Sequence, residues 1–410
     1  RDSVASRGLG DVYKRQVMKY YATKVSPKGN IAVDDTILVK DVVTTAGSHI
    51  LDGFKPLFSA EAVTRLQEKG YTVAGKTNVG EFGLDLVGEF SYYAPQEEKL
   101  QGSAATLVKN GDVEAALGVD MNGSTRRAAA LAGVDFLKPT YGTVSRYGVI
   151  SCAASGEQIG VYAKDAEKVA EIMSVIAGHD DKDGTSLKDE TYDYSITDVK
   201  GKKVAINKYL LDKADDETKA KVMEFADSLR ANGVEVTEIS CDMVEIANTA
   251  WQILMCAETC NNVSRYDGVK FGHRAKEYKN IDELYVNTRT EGFNFLTKAV
   301  ILYGSDVLSK HRYKDCFDKS LRIRRVVAEG LQKAFEEFDA ILTPVCSKSK
   351  YEAYDIKDAF GKVFEESVFT AVPNLIGIPA IVTNGVQLMG NHFSESTLLS
   401  LAHSVEKEDK

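Results

Sequence analysis

One pattern recurs along the chain: an amphipathic helix, a glycine that ends it, and a short strand rich in β-branched residues. In the first copy Ala62, Val63 and Leu66 share a helical face, Gly70 ends the helix, and residues 71–74 form the predicted strand. The second copy consists of Val222, Phe225, Ala226, Leu229, Gly233 and residues 234–239. The third lacks the glycine and consists of Leu331, Ala334, Phe335, Phe338 and residues 340–343. Alternating helices and short strands predict a layered α/β fold with a largely parallel or mixed sheet.

Composition limits the class of protein. The 410 residues are 44% hydrophobic and 27% charged, which is typical of a globular protein with a large core. No Pro/Gly/Ser-rich linker divides them, so we expect one large domain. The formal net charge of -9 repels phosphate backbones and argues against direct nucleic-acid binding. No apolar run reaches the roughly 18 residues of a membrane-spanning helix, so we expect no membrane span.

The six cysteines show no recurring spacing, which favours reduced thiols and a cytoplasmic location. Cys256 and Cys260 stand one helical turn apart. No histidine or second cysteine pair lies near them in sequence, so we expect no metal site. Residues 1–16 contain neither an apolar signal segment nor a clear periodicity, and we interpret them as a tail of uncertain origin.

Two motifs dominate the middle of the chain: GVDMNGSTR at 118–126 and GVDFLKPTYGTVSRYGVIS at 133–151. Together they resemble the core of the amidase-signature family. Further motifs, in the same order along the chain, are similar to the A subunits of glutamyl-tRNA(Gln) amidotransferases: GKTNVGEF at 75–82, SRYDGVKFGHR at 264–274, TRTEGF at 288–293 and PNLIGIPA at 373–380. The resemblance implies a single large amidase-signature domain with a mixed central β-sheet flanked by α-helices on both faces. We place this domain at residues 17–405 and expect the family's N-terminal helical region to be missing.

The resemblance also implies a chemistry. Family members hydrolyse amides with a serine whose proton passes through a bridging serine, held by a cis peptide, to a neutral lysine. A serine hydroxyl needs such a base because it is a poor nucleophile near neutral pH. The NGS motif puts the nucleophile at Ser124, and the family's strand-end lysine corresponds to Lys40 in DDTILVKDVV. Burial would have to lower the pKa of Lys40 for it to act as the base.

The bridging serine is expected to be absent. The family carries it in a GGSSGGS loop, whereas residues 97–106 read EEKLQGSAAT. Lys99 or Leu100 falls at the bridging position, and neither side chain can relay the proton. Ser103 matches the last serine of the loop, which is not the catalytic one.

The oxyanion-hole amides are assigned by the same resemblance to Met121, Asn122 and Gly123. Asn122 stands where the family has a glycine. A misplaced donor at this site would cost on the order of 3 kcal/mol in the transition state.

The residues that hold glutamine in the family are replaced as well. Val300 stands at the position of an arginine that binds the substrate carboxylate, Ser367 at that of an aspartate for the ammonium, and Trp251 or Ala250 near that of a tyrosine. Losing the ion-pair anchors removes both affinity and orientation.

These replacements predict a divergent homologue of the glutamine amidase subunit, which releases ammonia from glutamine for transamidation, with impaired or absent activity. B-like and C-like subunits are the implied partners, and no cofactor is expected because family members need none for the hydrolysis. Two alternatives stay open. One is an active amidase with a small amide substrate, using Ser124 and Lys40 as a dyad in an apolar pocket of Leu84, Leu86 and Trp251. The other is a non-catalytic scaffold that binds partner subunits.

Overall fold

A β-sheet of eleven strands forms the centre of the molecule. The computed structural model describes residues 20–93, 100–188 and 192–406, so the predicted tail at residues 1–16 lies outside the described part. The strands are β1 (Tyr21–Lys24), β2 (Ile31–Asp34), β3 (Val73–Thr77), β4 (Ala115–Asp120), β5 (Asp135–Lys138), β6 (Gln158–Ala163), β7 (Lys203–Asn207), β8 (Glu235–Ile239), β9 (Ala340–Pro344), β10 (Ala380–Thr383) and β11 (Val386–Gly390). Across the sheet they follow the order β1-β3-β2-β4-β6-β5-β10-β11-β9-β7-β8.

Parallel and antiparallel pairs both occur, which confirms the prediction of a mixed sheet. β2 lies parallel to β3 and β4, and β7 lies parallel to β8 and β9. The other neighbours are antiparallel. β10 and β11 form a hairpin whose turn residues, Asn384 and Gly385, have φ angles of 47° and 78°. Asparagine and glycine are the residues that adopt this two-residue turn most easily.

Thirteen α-helices are found in the described residues. They are α1 (Glu61–Glu68), α2 (Ser103–Asn110), α3 (Ser124–Ala132), α4 (Ala166–Ile176), α5 (Lys208–Asp212), α6 (Asp216–Ala231), α7 (Met243–Asn262), α8 (Ile281–Gly292), α9 (Phe295–Val307), α10 (Lys319–Phe335), α11 (Ala359–Glu366), α12 (Ala371–Ile376) and α13 (Glu395–Glu406). Within the described ranges, none of them is both long enough and apolar enough to cross a membrane.

The helices cover both faces of the sheet, as predicted. Successive side chains of a strand point to opposite faces. In β2, for example, Ile31 and Val33 enter one core and Ala32 enters another. The first core contains apolar side chains of α1, α4, α6 and α13. The opposite face carries two cores, one with α7, α9, α10 and α12 and one with α2 and α3. The candidate nucleophile, at the start of α3, belongs to this second face.

The three helix-and-strand units predicted from the sequence are confirmed as α1 with β3, α6 with β8, and α10 with β9. β3 and β9 are buried at every position, which explains why their sequences do not alternate between apolar and polar residues. β8 lies at the edge of the sheet and is partly exposed.

Candidate functional site

Ser124 lies at the junction between β4 and α3. Gly123, the residue before it, has a φ of 82°, in the left-handed region that glycine adopts most easily. A Cβ added to Gly123 would lie 2.3 Å from the Cβ of Thr370, so the space also requires glycine. The turn places Ser124, which is 9% exposed, on the wall of a cavity.

A buried ion pair stabilises this turn. Asp120 accepts hydrogen bonds from the Gly123 amide (3.2 Å) and from Nε and Nη2 of Arg126 (2.9 and 3.0 Å). Burial alone would raise the pKa of Asp120, but the Arg126 guanidinium and these hydrogen bonds outweigh burial and hold that pKa well below its usual range. Arg126 also donates to Gln387 Oε1 (2.7 Å) and to the Thr370 carbonyl (2.9 Å). The turn is thereby tied to the C-terminal part of the chain.

The three predicted oxyanion-hole residues have different surroundings. Met121 lies on the cavity wall. The Gly123 amide already donates to Asp120. Asn122 is 1% exposed and accepts a hydrogen bond from Gln252 through Oδ1 (3.1 Å), while its Nδ2 has no hydrogen-bond partner among the described residues. Of the three, only Met121 lines the cavity beside Ser124.

The structure does not bring Lys40 to Ser124. Lys40 is exposed, its backbone amide donates to Ser59 Oγ (3.0 Å), and it does not line the cavity. The prediction requires a strand that reaches Lys40, whereas β2 ends at Asp34 and the chain then turns. The relay requires a buried amine beside the serine, and Lys40 does not meet this requirement.

Asp34 occupies the strand-end position beside the turn that carries Ser124. β2 and β4 run parallel, so their carboxyl ends lie at the same edge of the sheet, and a Cβ added to Gly118 would lie 3.1 Å from Asp34 Oδ2. Asp34 is 6% exposed, and its two oxygens accept hydrogen bonds from Thr77 Oγ1 (2.8 Å) and the Val119 amide (3.2 Å). Burial outweighs these hydrogen bonds and raises the pKa of Asp34 to about 6.

A buried lysine lies nearby, but it is paired with another residue. Lys76 is 0% exposed, and its Nζ contacts Asp35 Oδ1 and donates to Thr44 Oγ1, both at 3.2 Å. Burial lowers the pKa of Lys76, and Asp35 opposes that shift. Sequence reasoning missed both Asp34 and Lys76. The available signals were the apolar run IAVD, which ends in an acid, and the lysine of GKTN.

The cavity beside Ser124 is small. It has a volume of about 40 Å³, and its wall includes Asp34, Thr36, Ser103 and Ser124. Ligand pockets usually have volumes of roughly 300–1,000 Å³. One water molecule needs about 10–15 Å³ of such space. The cavity therefore accommodates a few water-sized groups and not an amino acid.

Of the two residues predicted at the relay position, the structure describes Leu100, which has no hydroxyl. Leu100 is 4% exposed and packs with Leu86 and Val87 in an apolar cluster, while Lys99 lies outside the described residues. Ser103 begins α2 and lines the cavity. Its hydroxyl has no hydrogen-bond partner among the described residues, so it is not bonded to Ser124.

The residues predicted at the family's glutamine positions are buried and do not line the cavity. Trp251 in α7 is 0% exposed, and a Cβ added to Gly156 would lie 2.1 Å from its ring. Val300 packs in the same apolar core, and Ser367 donates to the Val363 carbonyl (2.6 Å). None of the three predicted residues lines the cavity wall.

The apolar pocket expected for an active amidase with a Ser124 and Lys40 dyad is not formed. Leu84 and Trp251 belong to one buried core and Leu86 to another, and none of them lines the cavity. Together with the exposed Lys40, this arrangement leaves the proposed dyad without its pocket and its base.

Comparison with known proteins agrees with this fold. A family model described as amidase matches residues 30–399. The glutamyl-tRNA(Gln) amidotransferase A subunit of Lactobacillus gasseri is 35% identical over 402 residues, which cover 93% of this chain and 84% of the relative. The protein of the same name from Halothermothrix orenii is 35% identical over 400 residues, covering 92% and 84%. The crystal structure of the corresponding A subunit from Thermotoga maritima has a TM-score of 0.78 at 27% identity and covers 97% of this chain and 90% of that one. By sequence and by fold, the chain belongs to the amidase family and is homologous to the A subunits of glutamyl-tRNA(Gln) amidotransferases.

Proposed function

We propose that this chain is a homologue of the glutamine amidase subunit in which the relay of two serines and a lysine does not operate, so that it does not release ammonia from glutamine. One observation carries the proposal. The strand-end position beside Ser124 holds the carboxyl group of Asp34, whereas the relay needs a neutral amine there. The amine expected at Lys40 is exposed, and the buried amine of Lys76 is paired with Asp35.

The surroundings of Asp34 give it no role as a substitute base. Within the described residues Asp34 accepts hydrogen bonds from Thr77 and Val119 and not from Ser124. A base must lie within hydrogen-bond reach of the proton it accepts, directly or through a relay. Leu100 offers only hydrocarbon at the relay position, and the Ser103 hydroxyl has no partner among the described residues.

The volume of the cavity supports the same proposal. About 40 Å³ beside Ser124 leaves no room for glutamine, and Trp251 and Val300, predicted at the family's glutamine positions, are packed in the core. An active amidase with the predicted Ser124 and Lys40 dyad has no such support.

We further propose that the chain acts as a non-catalytic subunit beside B-like and C-like subunits. The relatives are named as subunits of an amidotransferase, and the chain covers 84% of the Lactobacillus gasseri protein. A fold that is kept while the reactive groups are replaced fits a protein that presents surfaces to partners. All six cysteines have free thiols, which fits a reducing compartment such as the cytoplasm.

The catalytic part of the proposal is tested with a fluorophosphonate probe. The purified chain and its Ser124→Ala variant are treated with the probe, and labelling of residue 124 is measured by mass spectrometry. Ammonia release from glutamine and asparagine is then measured, with an active member of the family as the positive control. We expect neither labelling nor ammonia from the folded chain. Labelling of Ser124 together with ammonia release would contradict the proposal.

The partner role needs a separate experiment. The chain is co-expressed with B-like and C-like subunits, and the mixture is separated by size-exclusion chromatography. We expect one complex that contains all three chains. Elution of the chain on its own would contradict this role and leave the catalytic result unaffected.

A further inference from the structure

Two hydroxyl groups on the wall of the cavity lack a partner. Thr36 is 5% exposed and Ser103 is 3% exposed, and neither hydroxyl oxygen forms a hydrogen bond within the described part of the chain. Both residues line the cavity that Asp34 and Ser124 also line. An unpaired buried hydroxyl costs about 1–3 kcal/mol. The cavity is therefore incomplete without an occupant that bonds these oxygens.

The charge at Asp34 is also incompletely balanced. Asp34 and Asp35 are adjacent, and the charge of Lys76 favours both carboxylates, but Lys76 forms its ion pair with Asp35. Asp34 is left with two neutral donors, the Thr77 hydroxyl and the Val119 amide. A buried carboxylate that forms no ion pair is poorly stabilised.

Two more carboxyl groups on the cavity wall, those of Asp85 and Glu157, also have pKa values raised by burial. Burial and the neighbouring Glu89 raise the pKa of Asp85 well above its usual value, against the opposing effect of Arg127. Burial likewise raises the pKa of Glu157, although Arg146 lies 3.5 Å from it. A cation in the cavity would favour the ionised form of these carboxyl groups, and their negative charge would in turn stabilise the cation.

We propose that the cavity lined by Asp34, Thr36 and Ser103 binds one small monovalent cation, ammonium or potassium. Ammonium is the size of a water molecule, and its four hydrogens match the carboxylate and hydroxyl acceptors of the wall. Potassium accepts the same oxygen ligands. A divalent metal fits less well, because the described residues contain no group of three His, Cys, Asp or Glu side chains placed to hold one. The proposal does not depend on whether Ser124 is reactive.

The test measures thermal unfolding at pH 7.5 and constant ionic strength, with tetramethylammonium chloride replaced stepwise by ammonium, potassium or sodium chloride. Tetramethylammonium is too large for the cavity and serves as the reference ion. We expect the midpoint of unfolding to rise with ammonium or potassium and to saturate, as binding to the folded state requires. A rise with ammonium alone would identify ammonium as the ligand, and an equal rise with potassium would identify a general monovalent site.

Variants locate the effect. Asp34→Asn is expected to abolish the ion-specific rise, and Ser103→Ala is expected to weaken the apparent affinity several-fold. Ser400→Ala is the matched control, because Ser400 is also 3% exposed but bonds the Ser396 carbonyl and does not line the cavity. If Asp34→Asn does not fold, Thr36→Val takes its place, since it removes an unpaired hydroxyl and keeps the side-chain shape. Equal responses to all ions, or an equal rise in Ser103→Ala and the parent chain, would overturn the proposal.

Discussion

Asp34 lowers the stability of the folded chain at neutral pH. Its pKa is about 6 in the folded chain, because burial disfavours the ionised carboxylate. In the unfolded chain the carboxyl ionises near its ordinary value of about 3.9. Between these two values the unfolded state releases its proton first, so the free energy of unfolding falls as the pH rises toward 6.

The variant Asp34→Asn removes this pH dependence. Comparing pH 4.5 with pH 7.5, we expect the stability of the variant relative to the parent to improve by about 2 kcal/mol at the higher pH. Urea unfolding at the two pH values, in tetramethylammonium salt, measures the difference. A constant difference between variant and parent across this range would contradict the raised pKa of Asp34.

Asp183 provides a control, because its pKa is shifted in the opposite direction to that of Asp34. Burial alone would raise the pKa of Asp183, but hydrogen bonds from the Arg146 and Thr185 amides outweigh burial and lower it. Because the pKa of Asp183 is lowered, its effect falls at more acidic pH, near and below the ordinary aspartate value of about 3.9. As the pH rises through that acidic range, Asp183→Asn should lose stability relative to the parent, whereas Asp34→Asn should gain it as the pH rises from 4.5 to 7.5.

For single residues, the sequence predicts the turn that carries Ser124 but not the residues that lie around it. The NGS motif is local, so Ser124 can be placed from a few adjacent residues. The partner of Ser124 depends on where β2 ends, and the run VDDTILVK has apolar residues on both sides of its acids. The resemblance to the family led us to expect a strand that reaches Lys40, whereas the strand stops at Asp34. Strand ends are set by tertiary contacts, such as the bonds of Asp35 to Thr45 and Lys76, which no local pattern displays.

The helix α3 is bracketed by two glycines with positive φ, Gly123 at its start and Gly133 at its end. Their surroundings differ. An added Cβ at Gly133 meets nothing within 4 Å, whereas at Gly123 it would overlap Thr370. A side chain would strain the backbone at both positions, but it would clash with a neighbour only at Gly123.

Gly133→Ala is expected to cost about 1 kcal/mol for the left-handed conformation alone. Gly123→Ala should cost about 2 kcal/mol more, because Thr370 has to move. Chemical denaturation of both variants measures the difference. Equal losses would mean that the contact with Thr370 does not constrain the turn.

The elements themselves are largely predictable, since helices with a 3.6-residue apolar period and a glycine stop are recognisable within one window of sequence. The three predicted units have their helices and strands where expected. The order of the strands is not predictable in this way. It depends on pairings such as β5 with β10, between residues that lie far apart in the chain.

Arg126 joins distant parts of the whole molecule. It is 0% exposed, pairs with Asp120 of β4, and bonds Gln387 of β11 and the Thr370 carbonyl. Arg126→Met would leave Asp120 buried without a cation, which is expected to destabilise the fold by about 3–5 kcal/mol. Equilibrium unfolding in urea is the measurement.

The control is Arg325→Met, which removes an exposed arginine paired with Glu329 at 2.7 Å and should change stability very little. Adding Asp120→Asn to Arg126→Met should recover part of the loss, because the unpaired charge is removed. No recovery would mean that the loss comes from packing and hydrogen bonds instead of from the charge of Asp120.

The strand order has a consequence for synthesis on the ribosome. β5 lies between β6 and β10, and β10 is translated long after the other two. At about 5–20 residues per second, the growing chain spends roughly 10 to 50 seconds with β5 exposed as a sheet edge. An unpaired edge is a template for pairing with another chain. We therefore expect the nascent protein to need a factor such as a chaperone, which keeps β5 from pairing with another chain until the last two strands emerge.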